Sequence, residues 1–451
     1  MITTVINPAR NEWAALCRRN TPDDADIEEA VGRIIDDVAS RGDEALRDMA
    51  LRYDGVKLAD IALRADEIAA AADRVSDEVK QAIAVAADNI RRFHIAQQPR
   101  AVDLEVMPGV RCLQRPVAIE RVGLYIPGGQ APLFSTVLML GIPASIAGCR
   151  HKVLCTPRTS VSDIAPEIIY AANVCGIDRI CCAGGAQAIA AMAFGTDSVP
   201  AVDKIFGPGN RYVTKAKQLL SRRVAIDMPA GPSEVMVMAD HTSVAEFVAA
   251  DMLSQAEHGP DSQAILVCDS ESTARRAAEA IERLRPRLSR SGSIDRSLSH
   301  SRAIVLPDRS DMVDFANTYA AEHLIISMER PWEIADAITS AGSVFVGNYS
   351  PESAGDYASG TNHTLPTTGW ARSMSGVNMD SFYRKITYQQ LTPEGLASLA
   401  PSITAMARAE RLDAHALAVE IRTHKQLLYG HENEAYNSMK NVCLCKPLII
   451  Q

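Results

Sequence analysis

Between residues 121 and 346 the chain alternates short, unbroken apolar runs with helical patterns, and that alternation restricts the fold more than any other feature. VGLYIPGG is followed by LFSTVLMLGIPASIAG, then HKVLCTPR, a helix through APEIIYAANVCG, DRICCAGG and AQAIAAMAFG. KIFGPGNRYVTKAKQLL and RVAIDMPAGPSEVMVMAD close this first unit. A second begins with the helical run EFVAADMLSQAEH and continues through AILVCD, a charged helix from Glu271, RAIVLP, HLIISM, another helix and SVFVGN. Strands covered on both faces lose their polar alternation, as buried parallel strands do. Parallel neighbours also need crossover helices. The pattern therefore predicts an α/β fold of two doubly wound, Rossmann-like units. No fixed-period repeat is present, although the two units are compatible with distant copies of one plan.

The flanks differ. Residues 26–96 carry apolar positions at helical spacing in DIEEAVGRIIDDVASRG, DEALRDMALRYDG and an Ala-rich run to FH. From Leu104 the texture is β-branched and turn-punctuated, which predicts a hairpin feeding a strand that ends at Pro127-Gly128-Gly129. Residues 351–369 are Gly/Ser/Thr/Asn-rich without periodicity and predict a long functional loop. Helical spacing returns after Asp380 and lapses after Tyr429. The expected division is a small N-terminal hairpin piece (1–25 and 104–120), a first Rossmann-like domain with a helical part (26–103 and 121–238), a second one (239–379), a C-terminal helical piece (380–428) and a tail (429–451). A chain of 451 residues exceeds what one core accommodates, in keeping with that division.

Charge and cysteine usage exclude some functions. With 46 basic and 55 acidic residues the net charge is −9, which argues against a nucleic-acid or anionic-membrane surface. MITTVINPARNEW lacks the layout of a signal peptide, and no apolar run reaches the roughly 18 residues of a membrane helix. The ten cysteines are irregularly spaced and several sit in strand-like runs, so buried thiols and a cytoplasmic location are expected. Cys443-Leu444-Cys445 has no matching pair for a zinc site.

The chemistry-bearing residues fall at element ends. In DMLSQAEHGPDSQ, Gln255 and His258 are three apart before a Gly259-Pro260 stop, predicting neighbours in the last turn of a helix. A histidinium stabilising a helix C-terminus accounts for this stretch taken alone. Asp356 and His363 lie in the 351–369 loop, where a turn-forming Asp is the ordinary case. Glu410 and His415 lie on a predicted amphipathic helix, where a surface His is ordinary too. Gln255, His258, Asp356 and His415 together would make an oxygen/nitrogen set without sulfur, suited to zinc or manganese with positions left for substrate. Glu322-His323 stands at a helix-to-strand junction. It offers water activation and proton shuttling, or equally a solvated Glu beside a capping His. The glycine turns YIPGGQAP, CCAGGAQA and FGPGNRYV follow strands and could cradle phosphate, but the G-x-G-x-x-G fingerprint is absent.

RVGLYIPGGQAPLFSTVLMLGIPA, GGAQAIAAMAFGT, VDKIFGPGNRYVTKAKQL, IDMPAGPSEV, AADMLSQAEHGPDSQA, AEHL, GDYASGTNHTLPT and AERLDAHALAV resemble, in order and spacing, the motifs of the histidinol dehydrogenases over roughly residues 20–425. The resemblance implies two Rossmann-like units in an aldehyde-dehydrogenase-like arrangement, with small terminal pieces and an intertwined homodimer whose subunits share active sites. By the same resemblance Gln255, His258, Asp356 and His415 match ligands of one zinc per subunit, His415 serving the neighbouring subunit. Glu322 and His323 match the catalytic pair; Ser233, His363 and Glu410 match further substrate contacts; Tyr125, Gln187 and Asn210 match positions associated with NAD.

The implied reaction oxidises L-histidinol to L-histidine through histidinaldehyde, with two successive hydrides passing to NAD. Arg411 departs from the pattern, standing where many members have Gly, and the last 25 or so residues match nothing familiar. Two other readings fit parts of the chain: a relative oxidising another small alcohol such as a sulfonated diol, and a non-catalytic binding protein on the same fold.

Overall fold

The structure, a computed structural model, describes residues 2–19, 25–128, 131–158, 163–177, 179–229 and 231–423. Gly129, Ala230 and the 429–451 tail with Cys443 and Cys445 lie outside them. The chain separates into two compact units, Met1–Gln98 with Ala118–Tyr383, and Pro99–Val117 with Arg384–Gln451.

In chain order the strands begin with β1 (Thr3–Ile6), β2 (Val102–Met107) and β3 (Val110–Ala118). Next come β4 (Arg121–Tyr125), β5 (His151–Thr156), β6 (Arg179–Cys182), β7 (Lys204–Phe206) and β8 (Ala225–Ile226). They are followed by β9 (Glu234–Ala239), β10 (Gln263–Cys268), β11 (Arg302–Val305), β12 (His323–Ser327), β13 (Ser343–Val346) and β14 (Tyr383–Leu391).

The first unit holds two parallel sheets. One runs in the order β6-β5-β4-β7-β8, the other β1-β11-β10-β9-β12-β13. In each, the first strand of its segment (β4 or β9) is central, the next two lie on one side and the last two on the other. The two units of the sequence thus share one winding, which is the common mononucleotide-binding plan. β1 lies at an edge beside β11, with Thr3 level with Arg302, rather than with the 104–120 hairpin.

Strand composition explains the layering. EVMVMA, QAILVC and HLIIS are buried at every position, so helices cover both faces. Helix Glu271–Leu284 shows how one face is covered. The Ser270 hydroxyl caps it by accepting from the Thr273 N–H at 3.3 Å, while Ala274, Ala277 and Ile281 line its buried side. Arg275, Glu279 and Glu282 face water. Trimming Ile281 to Ala would cost about 2–5 kcal/mol. Helix Phe134–Ala147 is apolar almost all round and buried accordingly. Its Thr136 is one of the few polar groups carried inside.

Three local features differ from the sequence expectations. The helical run from Ala65 breaks after Ala71 and restarts at Asp77, because Ser76 caps the second helix by accepting from Val79. The 351–369 loop contains a short helix, Glu352–Tyr357. Residues 383–391 form β14, whose alternating YRKITYQQL carries strand spacing ahead of the C-terminal helices.

The second unit is a three-stranded sheet, β14-β3-β2, with helices Pro393–Ala409 and Asp413–Thr423. β2 and β3 turn through Gly109, whose φ of +76° suits glycine. Val102 and Leu104 alternate onto one face of β2, with Val106 following where the register shifts, and the three are 52%, 56% and 55% exposed. That is an uncovered apolar face.

Candidate active site

The site is built at the amino ends of β9 and β12. Helix Arg309–Tyr319 ends at Ala320 in a left-handed conformation (φ 55°), and the chain turns into β12 at His323. Adjacent residues on a strand diverge, but here both side chains turn toward one neighbour. The Glu234 N–H donates to Glu322 Oε2 at 2.9 Å, and His323 Nδ1 lies 3.4 Å from the Glu234 carbonyl. A carbonyl only accepts, so Nδ1 carries the proton and Nε2 keeps its lone pair. Nδ1 and Glu322 Oε2 are 3.7 Å apart.

Gln255 and His258 approach from the helix that precedes β10. That helix ends at Ala256, two residues earlier than the sequence spacing suggests. The Glu257 N–H already bonds the Leu253 and Gln255 carbonyls, and His258 sits in the turn beyond, its N–H on the Gln255 carbonyl at 3.2 Å. Gln255 is fully buried and both its amide atoms lack a hydrogen-bond partner among the described residues, whereas His258 is exposed.

The short helix Glu352–Tyr357 brings two further carboxylates to the set. Glu352 and Asp356, four apart, fall on one face. Ligand-type atoms of His258, Glu352 and Asp356 all lie within 4.8 Å of one another. His323 Nδ1 is 3.5 Å from Glu352 Oε1, and its Nε2 is 3.7 Å from Asp356 Oδ1. His363 Nδ1 lies 2.8 Å from the Asp356 carbonyl and its Nε2 3.1 Å from the Thr136 hydroxyl.

Loss of hydration dominates the electrostatics. It pushes the Asp356 carboxyl up to about 7 and holds Glu322 and Glu352 well above the usual carboxylate range, with neighbouring carboxylates raising both glutamates further. It drives His323 down to about 3 and His363 to about 4, the His258 ring adding to both. The His258 ring is also lowered, by crowding and by Arg290, but its open face makes that shift the least weighty. Among the described residues, neither oxygen of Glu352 nor Nε2 of His323 has a hydrogen-bond partner. Buried polar groups of this kind are ordinarily satisfied. A divalent cation suits the set: oxygen and nitrogen donors, net acidic, converging from separate elements.

Ser233 stands half-buried just before β9, one residue from the backbone that holds Glu322. Glu410 and His415 belong to the second unit, at exposed positions ending one helix and starting the next. Tyr125, Gln187 and Asn210 lie elsewhere, at or just after the carboxyl ends of β4, β6 and β7, where open parallel sheets bind ligands. The buried Tyr125 hydroxyl accepts from the Gly185 N–H at 3.0 Å. Gln187 is buried in the first turn of helix Gly185–Phe194, and Asn210 caps helix Arg211–Leu220 by accepting from Tyr212 and Val213. Gly207 between them permits no side chain: a Cβ would lie 2.1 Å from the Tyr125 carbonyl oxygen.

Sequence reasoning missed Glu352, Glu234 and Thr136. Glu352 and Asp356 are four apart, but their helix is too short and too loop-like in composition for that spacing to register; the other two had no local signal.

Two sheets of one winding, one with its open carboxyl-end crevice and one with a buried Glu–His pair beside an oxygen/nitrogen pocket, are the frame of an α/β oxidoreductase. The chain belongs to the histidinol dehydrogenase family, whose family model matches residues 17–423. Histidinol dehydrogenase of Escherichia coli (strain K12) is 55% identical over 401 residues, covering 88% of this chain and 92% of that protein. The enzyme of Bacteroides thetaiotaomicron is 50% identical over 423 residues, covering 94% and 99%. The crystal structure of histidinol dehydrogenase from Elizabethkingia anophelis superposes with a TM-score of 0.92 at 50% identity, covering 94% of this chain and 98% of that one.

Proposed function

We propose that the protein oxidises L-histidinol to L-histidine in histidine biosynthesis, passing two hydrides in turn to NAD, with one zinc per subunit. The observation that carries this reading is the buried Glu322–His323 pair aligned beside the His258, Glu352 and Asp356 cluster. Family membership names the substrate.

Gln255, His258 and Asp356 would hold the zinc with His415 of a neighbouring subunit. The partnerless amide of Gln255 fits that use, since its oxygen is buried and uncommitted. Zinc there would supply orientation of the substrate's nitrogen donors. His323 Nε2 takes the hydroxyl proton as the first hydride leaves. Its depressed pKa keeps the ring neutral at physiological pH, so that lone pair is available. Glu322 then activates water for attack on the aldehyde; a carboxylate with a raised pKa is the stronger base once ionised. The hydrate loses the second hydride, leaving the carboxylate of histidine. Ser233, His363 and Glu410 would contact substrate, and Tyr125, Gln187 and Asn210 would border the NAD.

The reading includes a homodimer with shared sites, supported by the uncovered apolar face of β2 and by the location of Glu410 and His415 on that second unit. It also includes a cytoplasmic location, which the free thiols among the described cysteines support. No helix among the described residues is long and apolar enough to cross a membrane.

The test is NADH formed per L-histidinol consumed, with and without chelator. Two NADH per substrate, lost on chelation and restored by zinc, is the expected result. Turnover of a sulfonated diol in place of histidinol would overturn the substrate.

A further inference from the structure

We infer that Glu234, clamped by Arg19, is a positioning residue for Glu322 and His323; the inference rests on the catalytic roles proposed for that pair. Glu234 opens β9, and its main chain touches both members, donating to Glu322 and facing His323 Nδ1 with its carbonyl. Whatever fixes this one residue fixes the donor to the carboxylate and the tautomer of the imidazole together.

What fixes it is an unusually well-anchored side chain. The Glu234 carboxylate, 1% exposed, accepts from Arg19 Nε at 2.6 Å and Nη2 at 3.1 Å, and from the Thr368 N–H at 2.7 Å. The Tyr319 hydroxyl lies 3.1 Å away. Arg19 is anchored in turn, donating to the Cys17 and Tyr319 carbonyls at 3.0 and 2.7 Å, with its guanidinium 3.6 Å from the centre of the Tyr319 ring. The clamp joins residues 215 apart in sequence and ties in the loop that carries His363.

Burying such a pair contributes little net stability, since desolvation offsets the attraction and apolar residues of equal volume usually serve as well. A two-pronged Arg–carboxylate contact does supply a fixed geometry. Among the described residues neither side chain touches Gln255, His258, Asp356 or His363, so the geometric effect runs through the main chain of residue 234. The buried Glu234 charge also raises Glu322 directly, and Arg19→Lys, which leaves that charge in place, isolates the geometry. Groups that orient reacting groups from behind typically matter about 10- to 100-fold.

The experiment compares zinc-loaded wild type, Arg19→Lys and Glu234→Gln by kcat per zinc-bound site, KM for L-histidinol and bound zinc. Lys keeps the charge but not the fork, and Gln keeps the shape but not the charge. The expected result is a 10- to 100-fold loss in kcat, with KM and zinc content within threefold of wild type. A purely structural clamp would lower the folded fraction and leave kcat per zinc-bound site unchanged, which would overturn the inference. Nitrogen-15 NMR of histidine-labelled protein gives a second readout, independent of turnover. His323 should carry its proton on Nδ1 in the wild type and lose that preference in Arg19→Lys. An Nε2-protonated His323 in the wild type would overturn the inference as well. An inactive wild type or a silent His323→Ala would strike the catalytic reading instead, and the NMR result would still decide the positioning role.

Discussion

The carboxylates of Glu352 and Asp356 stand one helical turn apart on the six-residue helix Glu352–Tyr357 and converge with His258 to within 4.8 Å. Two acids and an imidazole held this closely repel unless positive charge joins them or protons neutralise them. Asp356→Asn keeps the shape and removes one charge. Zinc affinity, measured by competition with a chromogenic chelator, should fall more than about 100-fold, beyond the 10- to 100-fold typical of groups behind the ligands. Glu352→Gln should fall within that smaller range. Unchanged affinity in both variants would separate this cluster from the metal.

His323 is the second point of test. Replacing it with Ala removes the base proposed at Nε2 and should lower kcat for L-histidinol by about 10²- to 10⁴-fold, the usual worth of a positioned general base. Bound zinc should be unchanged. Normal turnover in His323→Ala would remove the ring from the chemistry.

How much of this was legible in the chain depends on the kind of signal. EVMVMA, QAILVC and HLIIS announced buried parallel strands because covering both faces forces unbroken apolar runs. The strand order did not appear in any run, and neither did the pairing of β1 with β11, because pairing partners leave no periodicity. Gln255, His258, Asp356, Glu322 and His323 were reachable as residue types at element ends and became one set through resemblance. Glu352 was not reached: six helical residues in a Gly/Ser-rich stretch are too few for spacing to register. Glu234 stood at the end of the AGPSE turn, where a strand begins. Its importance comes from Arg19, 215 residues away.

Asp251 gives a pH dependence with a definite sign. It is buried one turn before Gln255, and lost hydration lifts its carboxyl to about 7 from an ordinary 3.8. The folded state therefore binds the proton more tightly than the unfolded one. The resulting stability is fully present below about pH 4 and is lost as pH rises through 7. Asp251→Asn mimics the neutral form, so its stability relative to wild type should grow between pH 4 and pH 8. The gain is on the order of 4 kcal/mol at most, the full shift taken at 1.36 kcal/mol per unit. Chemical denaturation at the two pH values measures it, and a pH-independent difference would mean that Asp251 stays ionised in the fold.

The apolar face of β2 bears on assembly. Leu104 is 56% exposed between Val102 and Val106. Burying such a face against a second copy would remove it from water at roughly 25 cal/mol per Å². Leu104→Glu places a charge in the middle of that face. Sedimentation should then shift from dimer to monomer at micromolar concentration, with turnover lost in parallel if sites are shared. A dimer of undiminished strength would place the interface elsewhere.

Arg411 occupies a position where the chain leaves helix Pro393–Ala409 with φ at +60°. Its N–H bonds the Arg408 carbonyl at 3.0 Å and the next N–H, of Leu412, reaches the Ala407 carbonyl at 2.8 Å, so the left-handed turn is needed to end the helix. A side chain in that conformation costs about 1–2 kcal/mol, which glycine avoids. Glycine gives back about 0.4–1 kcal/mol through the freedom of the unfolded chain. Arg411→Gly should therefore stabilise the protein by up to about 1.6 kcal/mol, read as a small rise in Tm of zinc-loaded enzyme. Arg411→Ala separates the two contributions, since it keeps the strained backbone and removes only the side chain beyond Cβ. If Arg411→Gly is the less stable protein while Arg411→Ala matches wild type, entropy outweighs strain at this turn. If both fall together, the guanidinium itself contributes to stability, and the arginine is there for a contact rather than tolerated in a glycine's place.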